Sequence, residues 1–110
     1  MPRAVSTARL LDALDKRDGH VCAWTGIDTD RLVPQHRQGG MGGRKNKHRL
    51  SNLVWLDSLI NGLIESDPVY QAEAVARGIK ISLHADSTAI PVTHIVHGVV
   101  FLDDAGNIRK

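Results

Sequence analysis

Cysteines, aromatic residues and long apolar runs are scarce in this sequence. The single cysteine, Cys22, excludes an internal disulfide framework and any metal site built from several thiolates. Four aromatic residues are too few for the base-stacking platform of single-strand binding proteins. No apolar run approaches the roughly 20 residues of a membrane-spanning helix, and the N-terminus lacks the apolar segment of a secretory signal. We therefore expect one small cytoplasmic domain, 110 residues long, with a modest aliphatic core.

Acidic residues are absent from one long stretch, residues 31–56. This stretch carries six Lys and Arg residues, whereas the rest of the chain has eight against all twelve Asp and Glu, a net charge of −4. A basic segment of this kind is either a solvated loop or a surface that contacts phosphates. Four interspersed glycines, at 39, 40, 42 and 43, would let the backbone approach a phosphate chain, and they equally suit a flexible turn.

Apolar spacing, caps and turn residues predict the secondary structure. The predicted elements are a helix at 8–17, strands at 20–24 and 31–36 paired as a hairpin, a loop at 38–48, helices at 52–65 and 68–77, strands at 79–83 and 92–102, and a turn at 103–106. In this scheme Ser51 caps the second helix and Gly78 ends the third.

The middle of the chain combines a short hairpin, a basic loop and a helix between His20 and Glu65. Its runs "RLVPQHRQGGMGG", "SNLVWL" and "NGLIES" carry a histidine, an asparagine and, nine residues later, a second asparagine. This pattern resembles the HNH endonuclease family, especially small nucleases of actinobacterial phages, and the ending "GVVFLDDAGNIRK" is similar to their closing hairpin. The resemblance implies an α+β fold: an N-terminal helix at 1–19, a ββα-metal (HNH, or His-Me finger) core at 20–66, and a further helix with a C-terminal β-hairpin at 67–110, all in one domain.

The resemblance also implies a role for each matching residue. His36 matches the general base that activates water for metal-dependent hydrolysis of a DNA phosphodiester. Asn52 matches the residue that orients this base, and Gln35 and Asn61 match the positions that ligate one divalent ion, Mg or Mn. The residues expected to contact nucleic acid are Arg37, Arg44, Lys45, Lys47 and Arg49.

The chain departs from the family pattern at both metal-ligand positions. Gln35 stands where the family has Asp or His, and Asn61 stands where the phage proteins have His. Two neutral amides bind a hard cation poorly, so we expect metal affinity to be weak or to depend on bound substrate. Many members also hold a zinc ion with four cysteines. The corresponding positions here are Cys22, Thr25, Asp57 and Ile60, which predicts that there is no structural zinc.

Three functions remain open from the sequence. The first is an active HNH nuclease, and the second is a catalytically inactive HNH domain that binds DNA or a phage or host protein. The third is an interaction module whose basic loop binds an acidic partner. Val99 to Leu102 would give an apolar strand edge suited to a homodimer, whereas His94 and His97, outside the motif, are interpreted as structural or surface groups.

Overall fold

The described part of the chain, residues 7–38 and 49–110 of the computed structural model, begins with a helix. This helix, α1, spans Thr7–Asp18, close to the predicted 8–17. It ends where Gly19 adopts a positive φ of 77°, a conformation that favours glycine. Lys16 and Arg17 lie in its last turn, where positive charge complements the helix dipole.

The first sheet differs from the predicted hairpin. Strand β1, Leu32–His36, pairs antiparallel with β2, Leu53–Asp57, so that Leu32 faces Asp57 and His36 faces Leu53. The prediction that residues 20–24 form a strand is wrong. That segment is irregular and makes a single backbone hydrogen bond to β2, from the Ala23 N–H to the Trp55 carbonyl.

The prediction that Asn52 opens a helix is also wrong. Leu50–Asn52 form one 3₁₀ turn, and the chain then runs straight into β2. All five residues of β2 are buried, because Val54 and Leu56 pack into one apolar cluster and Leu53 and Trp55 into another. A strand buried on both faces shows no apolar–polar alternation, and this is why its sequence resembles the start of a helix.

Two consecutive helices follow β2. Helix α2 spans Ser58–Ser66, and its N-cap is Asp57, whose carboxylate accepts the Leu59 N–H at 2.9 Å. Helix α3 spans Pro68–Ala76, with Asp67 as cap and Pro68 in the first turn, as predicted. Gly78 follows with a φ of 68°, where an added Cβ would overlap the Pro91 carbonyl oxygen. Only glycine fits at this position.

The C-terminal part forms a three-stranded antiparallel sheet in the order β3, β4, β5. Its strands are Val92–His94, Gly98–Leu102 and Ile108–Arg109, and the predicted turn at 103–106 joins the last two. The predicted strand at 92–102 is therefore two strands, and the one predicted at 79–83 is absent. Strand β4 lies in the centre, so the expectation that Val99 to Leu102 form a free edge is wrong.

The two sheets and three helices of the described residues make an α+β fold, as predicted. The larger apolar cluster joins β2, α2, α3 and the C-terminal sheet, and the smaller one joins α1 to β2. None of the helices in the described ranges is long and apolar enough to cross a membrane.

Candidate active site

Three of the predicted site residues come together around one small depression. Gln35 and His36 are the last two residues of β1, and Asn61 lies in the second turn of α2, which directly follows the paired strand β2. All three side chains line the same depression, whose floor is apolar and formed by Leu56, Ile64 and Ile79. Its volume of about 10 Å³ is close to that of one water-sized site. Lys80 completes the wall.

The predicted positioning residue, Asn52, fixes the backbone just after His36. Its side chain is fully buried, and its Oδ1 accepts the Gln38 N–H at 2.8 Å. Its own carbonyl accepts the Arg37 N–H at 2.7 Å, one residue closer to the histidine. The two bonds hold the chain as it leaves β1.

Arg37 is not a nucleic-acid contact, and that prediction is wrong. Its side chain is fully buried, and the guanidinium donates to four backbone carbonyls at 2.7–2.9 Å. These carbonyls belong to Ser51, Gly78, Ser87 and Ile90. Burial, together with the nearby Arg17 charge, lowers the pKa of Arg37 to about 10, so it remains a cation at neutral pH. The sequence alone did not separate this one arginine from the basic stretch around it.

The other predicted DNA contacts are only partly described. Arg44, Lys45 and Lys47 lie outside the described residues. Arg49 is partly exposed, and its Nε donates to the Asp104 carboxylate at 2.6 Å. The same carboxylate accepts the Ser51 N–H at 3.0 Å, so it connects Arg49 to the turn that carries Asn52.

The four positions that match the family's zinc cysteines lie close together. The Cys22 Sγ accepts the Asp57 N–H at 3.3 Å, and Thr25, Asp57 and Ile60 line one shallow surface pocket. The Asp57 carboxylate is occupied: Arg31 donates to it at 2.9 and 3.1 Å, and Thr29 at 3.0 Å. Hydrogen bonds from Arg31 hold the pKa of Asp57 below its usual value. An ion pair thus joins the start of β1 to the end of β2 here.

A second titratable cluster, which sequence reasoning did not find, lies at the C-terminal end of α1. Asp18, His94 and His97 bring one carboxylate and two imidazoles within 4.8 Å of one another, a set that could hold a metal ion. The His97 Nε2 lies 2.9 Å from Asp18 Oδ1, and the buried His94 Nε2 lies 3.5 Å from Oδ2 without a hydrogen-bond partner. The His-x-x-His spacing at 94 and 97 was the available signal, but Asp18 is far away in sequence.

The hydrogen bonds around this cluster favour an ion-pair network over a metal centre. Arg17 donates to both oxygens of Asp18, at 2.8 and 2.6 Å, which places a fixed cation where a metal would bind. The His94 Nδ1 accepts the Val96 N–H at 3.1 Å, so the proton of a neutral ring lies on Nε2 and blocks that nitrogen as a ligand. Burial alone would raise the pKa of Asp18, but Arg17 and His94 hold it well below its usual value.

Comparisons with known proteins give no relative. No protein-family model matches the chain, and no curated protein or solved structure is significantly similar to it.

Proposed function

We propose that this protein is an HNH-type nuclease that hydrolyses DNA phosphodiester bonds, with His36 as the general base. The observation that carries the proposal is the depression shared by Gln35, His36 and Asn61. These residues were selected from sequence resemblance, and they lie on a strand–strand–helix unit, the element order of a ββα core. The buried Asn52, bonded to the backbone beyond His36, supports the positioning role that the resemblance implies.

In this proposal the residues in and next to the depression have separate roles. The His36 imidazole would take a proton from the water whose oxygen forms a new bond to the phosphorus, a role that suits histidine because an unperturbed imidazole has a pKa near neutral pH. The bond from the phosphorus to one deoxyribose oxygen breaks, and that oxygen leaves with a proton taken from solvent. Asn52 would keep the end of β1 in register with the turn that precedes β2. The apolar floor excludes bulk water beneath the reacting groups.

The donor set does not fit a preformed metal site. Gln35 and Asn61 offer two neutral amide oxygens, and the described residues that line the depression include the cationic Lys80 but no carboxylate. Hard divalent cations require more oxygen ligands, preferably anionic ones, than these residues supply. Phosphate oxygens of bound DNA would have to complete the coordination, so we expect any metal to bind measurably only in the presence of substrate.

The lack of a carboxylate among the described residues of the depression favours a second candidate function, a DNA-binding domain that does not cleave. This candidate keeps the fold and the basic stretch at 31–56, but it assigns no chemistry to His36. It is distinguished from the first by activity and not by DNA binding.

A plasmid-nicking assay tests the proposal. Wild-type protein, His36→Ala and His84→Ala are compared with Mg²⁺, Mn²⁺, Ni²⁺, Zn²⁺ and EDTA. His84 is the matched control, because it is an exposed histidine in the loop after Lys80 that is absent from the depression. A general base contributes about 10²- to 10⁴-fold, so His36→Ala should lose at least about 100-fold while His84→Ala stays at the wild-type rate. Equal rates for wild type and His36→Ala would overturn the proposal.

A further inference from the structure

Among the described residues, Lys80 is the one lysine or arginine that lines the depression shared by Gln35, His36 and Asn61. It was not among the residues selected from the sequence, since it lies outside the basic stretch, after α3. It also lines a larger apolar groove between α3 and the loop at 81–90, against which its aliphatic stem can pack. Lys80 therefore lies between this groove and the depression that contains His36.

No carboxylate in the described part of the chain forms an ion pair with Lys80. The remaining stretches, 1–6 and 39–48, contain no Asp or Glu. A half-buried lysine normally gains a carboxylate partner or reaches bulk water. A lysine that shares a depression with a candidate general base, and that has no carboxylate partner among the described residues, is suited to an anionic ligand.

The backbone holds Lys80 in a fixed relation to His36. The Lys80 N–H donates to the Ala74 carbonyl at 3.1 Å, and the next N–H, that of Ile81, donates to the Arg37 carbonyl at 2.9 Å. Arg37 is the residue directly after His36, and its guanidinium also donates to the Gly78 carbonyl at 2.7 Å. Bonds on both sides of Lys80 therefore tie its segment to the end of β1, which makes its position pre-organised for a ligand.

From this geometry we propose that Lys80 binds the phosphate at the candidate active site. The inference rests on the proposed nuclease function and names a further substrate-binding residue for it. The ammonium would donate to a non-bridging phosphate oxygen of DNA, and it would offset negative charge that develops when water attacks the phosphorus. The ligand class is a nucleic-acid phosphodiester. The same charge would repel a free metal ion, consistent with metal binding that requires substrate.

Salt-titrated DNA binding tests this role without requiring cleavage. Fluorescence anisotropy of a labelled duplex is measured in EDTA with wild type, Lys80→Met, Lys80→Arg and Lys16→Met. Methionine keeps the apolar stem of the side chain and removes its charge. Lys16 is the matched control, because it is an exposed lysine on α1 that pairs with Asp12 at 3.1 Å.

Loss of one charged phosphate contact should weaken binding about tenfold for Lys80→Met. The slope of log K against log salt should also fall by about one. Lys80→Arg should restore most of the affinity, and Lys16→Met should match wild type. In the nicking assay Lys80→Met should lose at least about tenfold more activity than Lys16→Met.

The outcomes separate the two proposals. If wild type binds and nicks DNA but Lys80→Met behaves like Lys16→Met, the role of Lys80 is overturned and the nuclease proposal stands. If wild type binds DNA through Lys80 without nicking, the nuclease proposal fails and Lys80 remains a phosphate contact. If wild type does not bind DNA at any salt concentration, both are wrong. Thermal unfolding of each variant verifies that the differences come from folded protein.

Discussion

The two buried arginines, Arg17 and Arg37, offer the most informative comparison within the molecule. Arg17 is paired with a buried carboxylate, Asp18, and also donates to the Leu50 and Leu53 carbonyls at 2.9 and 2.7 Å. The Arg37 guanidinium donates to four backbone carbonyls instead. Within the described residues it forms no ion pair with a carboxylate. The charge of Arg17 is thus balanced by a carboxylate, and the charge of Arg37 by the dipoles of peptide carbonyls.

Both arginines hold the same short turn, Arg17 at its outer residues and Arg37 at its inner ones. Arg17 binds the carbonyls of residues 50 and 53, and Arg37 binds those of 51 and 52, the last through its backbone N–H. The turn carries Asn52, whose side chain fixes the chain beyond His36. The comparison indicates that the candidate site depends on two supports of different physical kind. The Arg17–Asp18 ion pair should be sensitive to pH. The support from Arg37 should depend on the planar shape of its guanidinium group.

The largest effect is expected for Arg37→Met, which leaves four backbone carbonyls without their donor, three of them buried. Each unsatisfied buried carbonyl costs about 1–3 kcal/mol, so the free energy of unfolding should fall by about 4 kcal/mol or more. Urea unfolding followed by circular dichroism measures it. If Arg37→Met does not fold, Arg37→Lys is measured in its place. Lysine keeps the charge but lacks the planar guanidinium group, so the free energy of unfolding should fall by about 2 kcal/mol. A loss below about 1 kcal/mol for both variants would refute the structural role.

A smaller but pH-dependent effect is expected for Asp18→Asn. Removing one partner of a buried ion pair costs about 3 kcal/mol, because the Arg17 charge remains buried without compensation. The pKa of Asp18 is lowered in the folded state, so its stabilisation is complete above its ordinary value of 3.8 and is lost as the pH falls below it.

Unfolding curves between pH 2.5 and 7 distinguish the two supports. Wild type and Arg37→Lys should lose stability below about pH 4 with similar slopes, and Asp18→Asn should have a shallower acid limb. Identical acid limbs for wild type and Asp18→Asn would contradict the assignment of that limb to the Arg17 network.

The smallest effect on stability is expected at the point where the two supports meet. Asn52→Ala removes the acceptor of the Gln38 N–H and should cost about 1–2 kcal/mol. If Asn52 positions His36, the nicking rate should fall by at least about tenfold at a temperature where the variant is still fully folded. A rate that falls only in proportion to the unfolded fraction would make Asn52 purely structural.

The helices and turns whose ends are set by neighbouring residues were predicted correctly from the sequence. Helix α1, the Asp67-Pro68 start of α3, its end before Gly78 and the turn at 103–106 all follow from caps and turn residues. The failures have non-local causes. Leu53–Asp57 is a strand because apolar clusters cover both of its faces, and this information lies in α1, α2, α3 and the C-terminal sheet. The irregular segment at 20–24 contacts β2 without joining it as a strand.

Only those residues of the candidate site that belong to the sequence motif could be predicted from the sequence. The spacing of Gln35, His36, Asn52 and Asn61 selected residues that the fold does bring to one end of β1. Burial cannot be read from a basic stretch, so Arg37 was misassigned as a DNA contact. Lys80 and the cluster of Asp18, His94 and His97 were missed because their partners are distant in the chain.

The buried thiol of Cys22 has a practical consequence for studying this protein. It is the only thiol in the sequence, it is fully buried, and its Sγ accepts the Asp57 N–H in the core below the β1–β2 sheet. A maleimide or disulfide reagent can reach it only when this core opens. The rate at which the native protein is labelled therefore reports the opening equilibrium directly, residue-specifically and without an engineered probe.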